Sequence, residues 1–282
     1  MNLKVDILEW MKAGHFVTIE DRPVFIGGPG GGGGGVVASG GGGANQTILE
    51  QVTNNAFSVK DEQNYKKGMG ESYLVEIEGG GLGLLKPPEF ESVKDDPSHE
   101  VAAYEIATAL GLDIVPPTAL REMPDGRVAS LQAWIEGADT AAALSRDGVH
   151  DYLPIKQVQN MWVLDAITGN MDRHTGNFLI SRDKKRIHAI DNGMSFGLDV
   201  PTFFDFPPGG FSRGYMKKVA RTFKPALFRS IKSVAQDDAL WDRVAALVGN
   251  EKAKAARLRA DNIWRLGKDW AFKVPPEYGE EW

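Results

Sequence analysis

Apolar residues recur along this chain with two periods, one of two residues and one of three to four. Tyr73-Leu-Val-Glu-Ile77 and Leu82-Gly-Leu-Leu-Lys86 are short runs on either side of a glycine turn and read as paired strands. Thr118–Arg121 and Arg127–Trp134 flank Pro124-Asp-Gly126, the chemistry of a tight turn, and make a second hairpin. Asn177-Phe-Leu-Ile180 and Ile187-His-Ala-Ile190, separated by the polar run Ser181–Arg186, make a third. Longer segments carry the helical period. Pro97–Leu110 opens with Ser98 as a candidate cap, stops at Gly111, and offers Val101, Tyr104, Ile106 and Ala109 as a buried stripe. Asp151–Thr168 is apolar at helical spacing, with Asp165 as a structural or capping carboxylate. Lys224–Ser233, Asp237–Val248 and Glu251–Leu266 read as three amphipathic helices, the last with a basic, solvated face. The sum is an α+β chain.

Residues 1–44 break the pattern. A helical candidate, Val5–Lys12, precedes a hairpin of His15–Ile19 and Pro23–Ile26 around Glu20-Asp-Arg22. Gly27–Ala44 then holds many of the 33 glycines; it has little side chain to bury and much backbone entropy to lose, so it reads as a flexible tether. It lacks the closing Gly-Lys-Ser/Thr of a phosphate loop.

Composition narrows the class. At 282 residues, 42% hydrophobic and 25% charged, the chain has enough material for a full core in one or two domains. The formal net charge of -6 gives no overall basic field for nucleic acid or anionic lipid. Cysteine is absent, which excludes disulfides and thiolate metal sites and fits a reducing compartment. The opening MNLKVDILEWMKAGHF carries acids inside its apolar run and has no small-residue cleavage site, and no run reaches the eighteen or so apolar residues of a spanning helix. A cytoplasmic protein without a membrane span is the expectation.

The chemistry concentrates in Ile167–Gly193, ITGNMDRHTGNFLISRDKKRIHAIDNG. Phosphoryl transfer from ATP needs a carboxylate beside the incoming hydroxyl and hard oxygen ligands for the Mg2+ on the β- and γ-phosphates. Asp172 suits the first task, Asn177 and Asp191 the second, because the third hairpin brings both ligands to one end. Upstream, Lys67-Gly-Met-Gly-Glu-Ser72 leads into the first strand, and a glycine loop there lets backbone N–H groups approach phosphates. Lys86, ending the next strand, can reach the α- and β-phosphates.

These blocks resemble a known superfamily. Asp172-Arg-His174, Asn177 five residues after Asp172, and Asp191-Asn-Gly193 resemble the catalytic loop and metal motif of atypical kinases: type II phosphatidylinositol 4-kinases, actin-fragmin kinase and Golgi secretory-pathway kinases. Gly68, Gly70, Ser72, Tyr73, Lys86 and Pro87 match the lipid kinases' glycine loop and lysine strand, and HEVAAYEIATALGLDIVPPT matches their following helix. The resemblance covers about Gly68–Gly197 and implies a two-lobed protein-kinase-like fold: residues 45–136 a small β-rich lobe with one main helix, residues 137–282 a larger helical lobe. It implies ATP and Mg2+ as cofactors, Asp172, Lys86 and Glu100 as catalytic residues with Glu100 partnering Lys86 (Glu105 in reserve), and Asn177 and Asp191 as metal ligands. Nucleotide would be held by Gly68, Gly70, Ser72, Lys86 and the hinge around Gln132 and Trp134, with Leu131 or Trp134 lining the pocket. The acceptor implied is a hydroxyl; with neither a cysteine for palmitoylation nor a polybasic cluster in the sequence, protein or a soluble small molecule is expected in preference to lipid.

Two alternatives stay open: a kinase-shaped nucleotide-binding or structural module, and adenylyl transfer on the same fold. The leader GHFVTIEDRPVFIGG also resembles the tails of phage minor head proteins, which implies association with phage structural proteins.

Overall fold

A computed structural model of the chain describes residues 42–59, 72–79, 81–88, 96–123, 126–144, 152–197, 215, 218–219, 222 and 225–266. The elements are α1 (Gly42–Asn54), β1 (Phe57–Val59), β2 (Tyr73–Ile77), β3 (Leu82–Lys86), α2 (Pro97–Ala109), β4 (Thr118–Glu122), β5 (Val128–Ala133), β6 (Ala138–Thr140), α3 (Ala141–Leu144), α4 (Ile155–Thr168), β7 (Phe178–Ser181), β8 (Ile187–Ala189), α5 (Pro225–Ala235), α6 (Asp238–Val248) and α7 (Asn250–Leu266). They fall into two compact units: one runs to Pro97 and adds Pro117–Trp134, and the other joins Ser98–Pro116 to everything after Ile135. The leader through residue 41, with its hairpin, tether and phage-like stretch, lies outside the described residues, and α1 takes in the last three residues of the glycine-rich run.

The first unit is an antiparallel five-stranded sheet in the order β1-β2-β3-β5-β4, with α1 packed on β4 and β5. The two-residue strand period puts Tyr73, Val75, Ile77, Leu85, Ala129, Leu131 and Ala133 on the core face, joined by Val52 and Leu49 of α1. Leu131 is therefore a core residue, and the expectation that it lines a ligand pocket is corrected. Gly83 is required by packing, since a Cβ there would lie 2.7 Å from Leu131 Cδ1 and 3.1 Å from Ile77 Cδ1. Arg121 closes the C-terminal end of α1 by donating to the carbonyls of Val52 and Asn55. Its guanidinium lies 4.9 Å over the Phe57 ring, and burial lowers its pKa to about 10.

In the second unit, α2 is buried on more than one face: His99, Glu100, Ala102, Ala103, Tyr104, Ile106 and Ala107 are all covered. The single stripe is thus corrected, Val101 being half-buried and Ala109 exposed. β6, β7 and β8 form a small antiparallel sheet, and the Ala189 amide donates to Ile114 O just beyond α2. α4 begins at Ile155 behind Pro154, later than the periodicity alone places it, because a proline suits the start of a helix and fails inside one. Its residues from Val158 to Thr168 are all buried. α5 and α6 both pack on α7, and α7 also packs on α4. The basic face expected on α7 is not wholly solvated: Arg259 is 1% exposed and donates to Ile167 O, Thr168 O and Gly197 O. Those three carbonyls give the buried cation the partners it needs. Among the described residues no helix is long and apolar enough to cross a membrane.

Candidate active site

The loop after α4 starts where the helix is forced to stop. Gly169 takes φ 67°, and the Gly169 and Asn170 amides both donate to Asp165 O, so the chain reverses by a left-handed cap. Asn170 Oδ1 then accepts from the Asp172 amide at 2.9 Å, which sets the backbone of the next turn. Met171, beside it, is 68% exposed.

Asp172 and Asn177 come together within one loop. Asn177 Nδ2 donates to Asp172 O at 2.7 Å and to Asp172 Oδ2 at 3.0 Å. With two acceptors at one end of the amide, that end is the NH2 group, and Oδ1 faces away from Asp172. His174 accepts from the Gly176 amide through Nδ1 at 2.9 Å, which leaves its Nε2 as the protonated nitrogen, 3.8 Å from Asp172 Oδ2. Among the described residues Asp172 Oδ1 accepts no hydrogen bond. Its carboxylate is therefore anchored through one oxygen and open through the other.

Asp191 is the strained member. Its φ is 57°, a left-handed conformation that aspartate adopts more readily than most residues but still at a cost. The groups on either side of it are held by side chains from elsewhere in the unit. Arg173 donates to Ile190 O before it. Glu100 Oε2 accepts from the Asn192 amide at 3.0 Å and from Asn192 Nδ2 at 3.3 Å after it. His99 Nδ1 lies 2.6 Å from Gly193 O. Phe196, also left-handed at φ 63°, sends its amide to Thr168 O and sets its ring 5.4 Å from that of His99.

Arg173 is the hub that the sequence does not announce. It donates to both oxygens of Asp165, to the carbonyls of Asn177 and Ile190, and to Asn192 Oδ1. One guanidinium thus ties α4, the Asp172 loop and the Asp191 motif together. Burial pushes the Asp165 carboxyl upward, and the Arg173 charge opposes that rise. The only sequence signal for this pair is an acid on a helix that is otherwise apolar at that level.

The remaining expected residues are placed as follows. Gly68 and Gly70 lie outside the described residues, whereas Ser72 immediately precedes β2. Lys86 ends β3 opposite Ser130, on the sheet face away from the core cluster, and shares that face with Leu84 and Gln132. Gln132 is buried, and its Nε2 donates to Thr118 Oγ1. The amides of Ala133 and Trp134 donate to Pro117 O and Leu82 O, so both are committed to the sheet. Glu105, the reserve partner for Lys86, pairs with Arg243 at 3.2 Å.

The donor set suits a hard divalent cation. The two bonds that the Asn177 amide nitrogen makes leave Oδ1 on the side away from Asp172, and Asp191 adds a carboxylate on a left-handed backbone. An amide oxygen and a carboxylate are oxygen ligands of the Mg2+ type, with no imidazole or thiolate among them.

Comparison with known proteins gives the family and the fold. The phosphatidylinositol 3- and 4-kinase family matches residues 47–229, so the leader lies outside the match. The chain is 25% identical over 177 residues to phosphatidylinositol 4-kinase gamma 3 of Arabidopsis thaliana, which covers 54% of this chain and 29% of that protein. Curated relatives are covered over less than a third of their own length, 29%, 25% and 18%. Among solved structures, the Helicobacter pylori proinflammatory kinase CtkA is similar at a TM-score of 0.52 and 14% identity, over 76% of this chain and 94% of that one. The Golgi casein kinase is similar at a TM-score of 0.51 and 11% identity, over 84% of this chain and 82% of that one. At such identities the likeness speaks for the fold alone, and the fold is that of two-lobed kinases. By the match over most of its length, this chain belongs to the phosphatidylinositol 3- and 4-kinase family.

Proposed function

We propose that the protein is an ATP- and Mg2+-dependent phosphotransferase that moves the γ-phosphate to a hydroxyl group, carried by a protein or a soluble small molecule. The observation that carries the reading is the Asp172–Asn177 pair, in which one amide anchors the carboxylate and at the same time leaves its own oxygen on the side away from Asp172. Asp172 Oδ1 accepts the acceptor's hydroxyl proton and aligns its oxygen with the γ-phosphorus. The bond from that phosphorus to the β-phosphate bridging oxygen breaks, the bond to the acceptor oxygen forms, and ADP leaves. Asn177 Oδ1 and Asp191 would hold Mg2+, which would supply charge neutralisation at the phosphates. Lys86, with the glycine loop before β2, positions the phosphates from the sheet lobe, and Glu100 holds the Asp191 motif through Asn192. A net charge of -6 works against docking on an anionic lipid surface, and no cysteine is present to carry an acyl anchor, which favours the soluble acceptors.

The test is transfer of label from γ-labelled ATP with Mg2+, alone and with cell lysate, for the parent and Asp172→Asn. Label is expected on protein or on a soluble product. The amide variant should bind nucleotide as the parent does and transfer about a hundredfold more slowly, the usual size of a lost general base. Near-parental transfer by Asp172→Asn overturns the assignment, label in lipid redirects the acceptor, and transfer of label from α-labelled ATP makes the protein an adenylyl transferase.

A further inference from the structure

We infer that Lys252, on the last described helix, is a positioning residue for the metal motif and acts through His99; this rests on the phosphotransferase reading above. The chain of contacts is short. Lys252 Nζ lies 2.9 Å from His99 Nε2, and His99 Nδ1 lies 2.6 Å from Gly193 O. A carbonyl oxygen can only accept and an ammonium can only donate, so the geometry fixes one protonation state of the ring: Nδ1 carries the hydrogen and Nε2 offers its lone pair. A ring of the other tautomer would set N–H against N–H at Lys252 and lone pair against lone pair at Gly193.

What this relay holds is the carbonyl of Gly193, two residues after Asp191. Asp191 sits at φ 57°, a conformation that persists only where the surroundings determine it. Ile190 O is held by Arg173, Asn192 N by Glu100, and Gly193 O by His99. His99 and Glu100 are consecutive on α2, so one turn of helix grips two consecutive residues of the motif. His99 is buried and its ring is seated on Phe196, so its direction is set by packing; what Lys252 adds is the choice of tautomer, and hence the donor that Gly193 receives. Lys252 acts two residues removed from the metal ligand, from a helix that the sequence presents as a charged surface.

The test uses the full chain with Lys252→Met, which keeps the stem and removes the donor, and Lys252→Arg, which restores a donor. Two quantities are read. Long-range proton–nitrogen spectra of the histidines, with His99→Gln to assign the signal, report which ring nitrogen of His99 is protonated. Titration with Mn2+ and a non-hydrolysable ATP analogue reports metal affinity without turnover. The parent is expected to show the Nδ1–H tautomer. Lys252→Met should lose that preference and bind Mn2+ about tenfold more weakly, the usual cost of removing a partner behind a metal ligand, while melting close to the parent. Lys252→Arg should recover most of the affinity. An Nε2–H ring in the parent overturns the relay, a reading that does not depend on how any Lys252 variant folds. Equal Mn2+ affinity in the parent and Lys252→Met overturns it as well. A parent that binds no Mn2+ nucleotide at all overturns the phosphotransferase reading and, with it, the positioning role.

Discussion

Arg173 donates to both carboxylate oxygens of Asp165, from Nε at 3.0 Å and from Nη2 at 2.9 Å, with both side chains buried. Removing one member of such a pair leaves an uncompensated charge, so Arg173→Met should destabilise the protein by about 3–5 kcal/mol. Replacing both, as Asp165→Leu with Arg173→Met, should recover part of that loss but not all, because Asn177 O, Ile190 O and Asn192 Oδ1 also lose their donor. Urea unfolding of the three proteins measures this. The single variant should be less damaged in acid: a carboxyl whose pKa is raised in the folded state costs stability as pH rises through that value, and Arg173 is what opposes the rise.

Lys86 offers a cleaner separation of fold from chemistry. It lies on the sheet face opposite the core cluster, so Lys86→Met should melt close to the parent. Turnover should fall about a hundredfold, the scale of removing one preorganised donor to a charge. Unchanged turnover in a folded variant would make Lys86 an ordinary sheet lysine.

Gly169 caps α4 at φ 67°, and a Cβ there would meet the Arg259 guanidinium carbon at 3.0 Å. Gly169→Ala therefore combines left-handed strain with a clash against a buried cation, and should cost about 2 kcal/mol or more. Gly111, also left-handed at φ 70°, has open space where its Cβ would go, so Gly111→Ala isolates the strain alone. The two differ only in the clash, and comparable unfolding midpoints would show that Arg259 yields freely.

His188 on β8 sets a pH dependence. Burial lowers its pKa; Asp113 pulls it up and Arg186 pushes it further down. A histidine depressed in the folded state contributes stability above its unfolded pKa of about 6.5, and that contribution is lost as pH falls through the folded value. Between about pH 7.5 and pH 5 the parent should lose stability that His188→Gln retains, measured as the shift in urea midpoint. A parallel loss in both proteins would assign the acid sensitivity to other groups.

Where the chain speaks through local pattern, the sequence is legible. β2 and β3 lie where period-two alternation and the glycine turn put them, and α2 ends where Gly111 stops it. The spacing of Asp172 and Asn177 places both in one loop, and there the Asn177 amide meets the Asp172 carboxylate. What sequence does not carry is pairing over distance. Arg173 reads as part of a motif, but its partner Asp165 is recognisable only once the left-handed cap at Gly169 folds the loop back on α4. Arg259 and Lys252 read as surface charges on a helix rich in them, because nothing local distinguishes the lysine or arginine that meets three carbonyls or a histidine from one that meets water. α1 is hidden for another reason: it opens on glycines, the poorest helix formers after proline, and is held by packing on β4 and β5.

The dependence of the Asp172 loop on α7 also imposes an order in time. Arg259 follows the Gly197 carbonyl it binds by 62 residues. A ribosome adding about 5–20 residues each second reaches it roughly 3–12 s after the metal motif has been made. Over that interval the nascent chain carries the loop, the hairpin and Arg173, but not the guanidinium that closes Ile167, Thr168 and Gly197, nor the ammonium behind His99. The backbone around Ile167, Thr168, Gly193 and Gly197 is thus braced only after α7 has been made, and a chain cut short before Asn250 would carry the Asp172 and Asp191 segments without that brace.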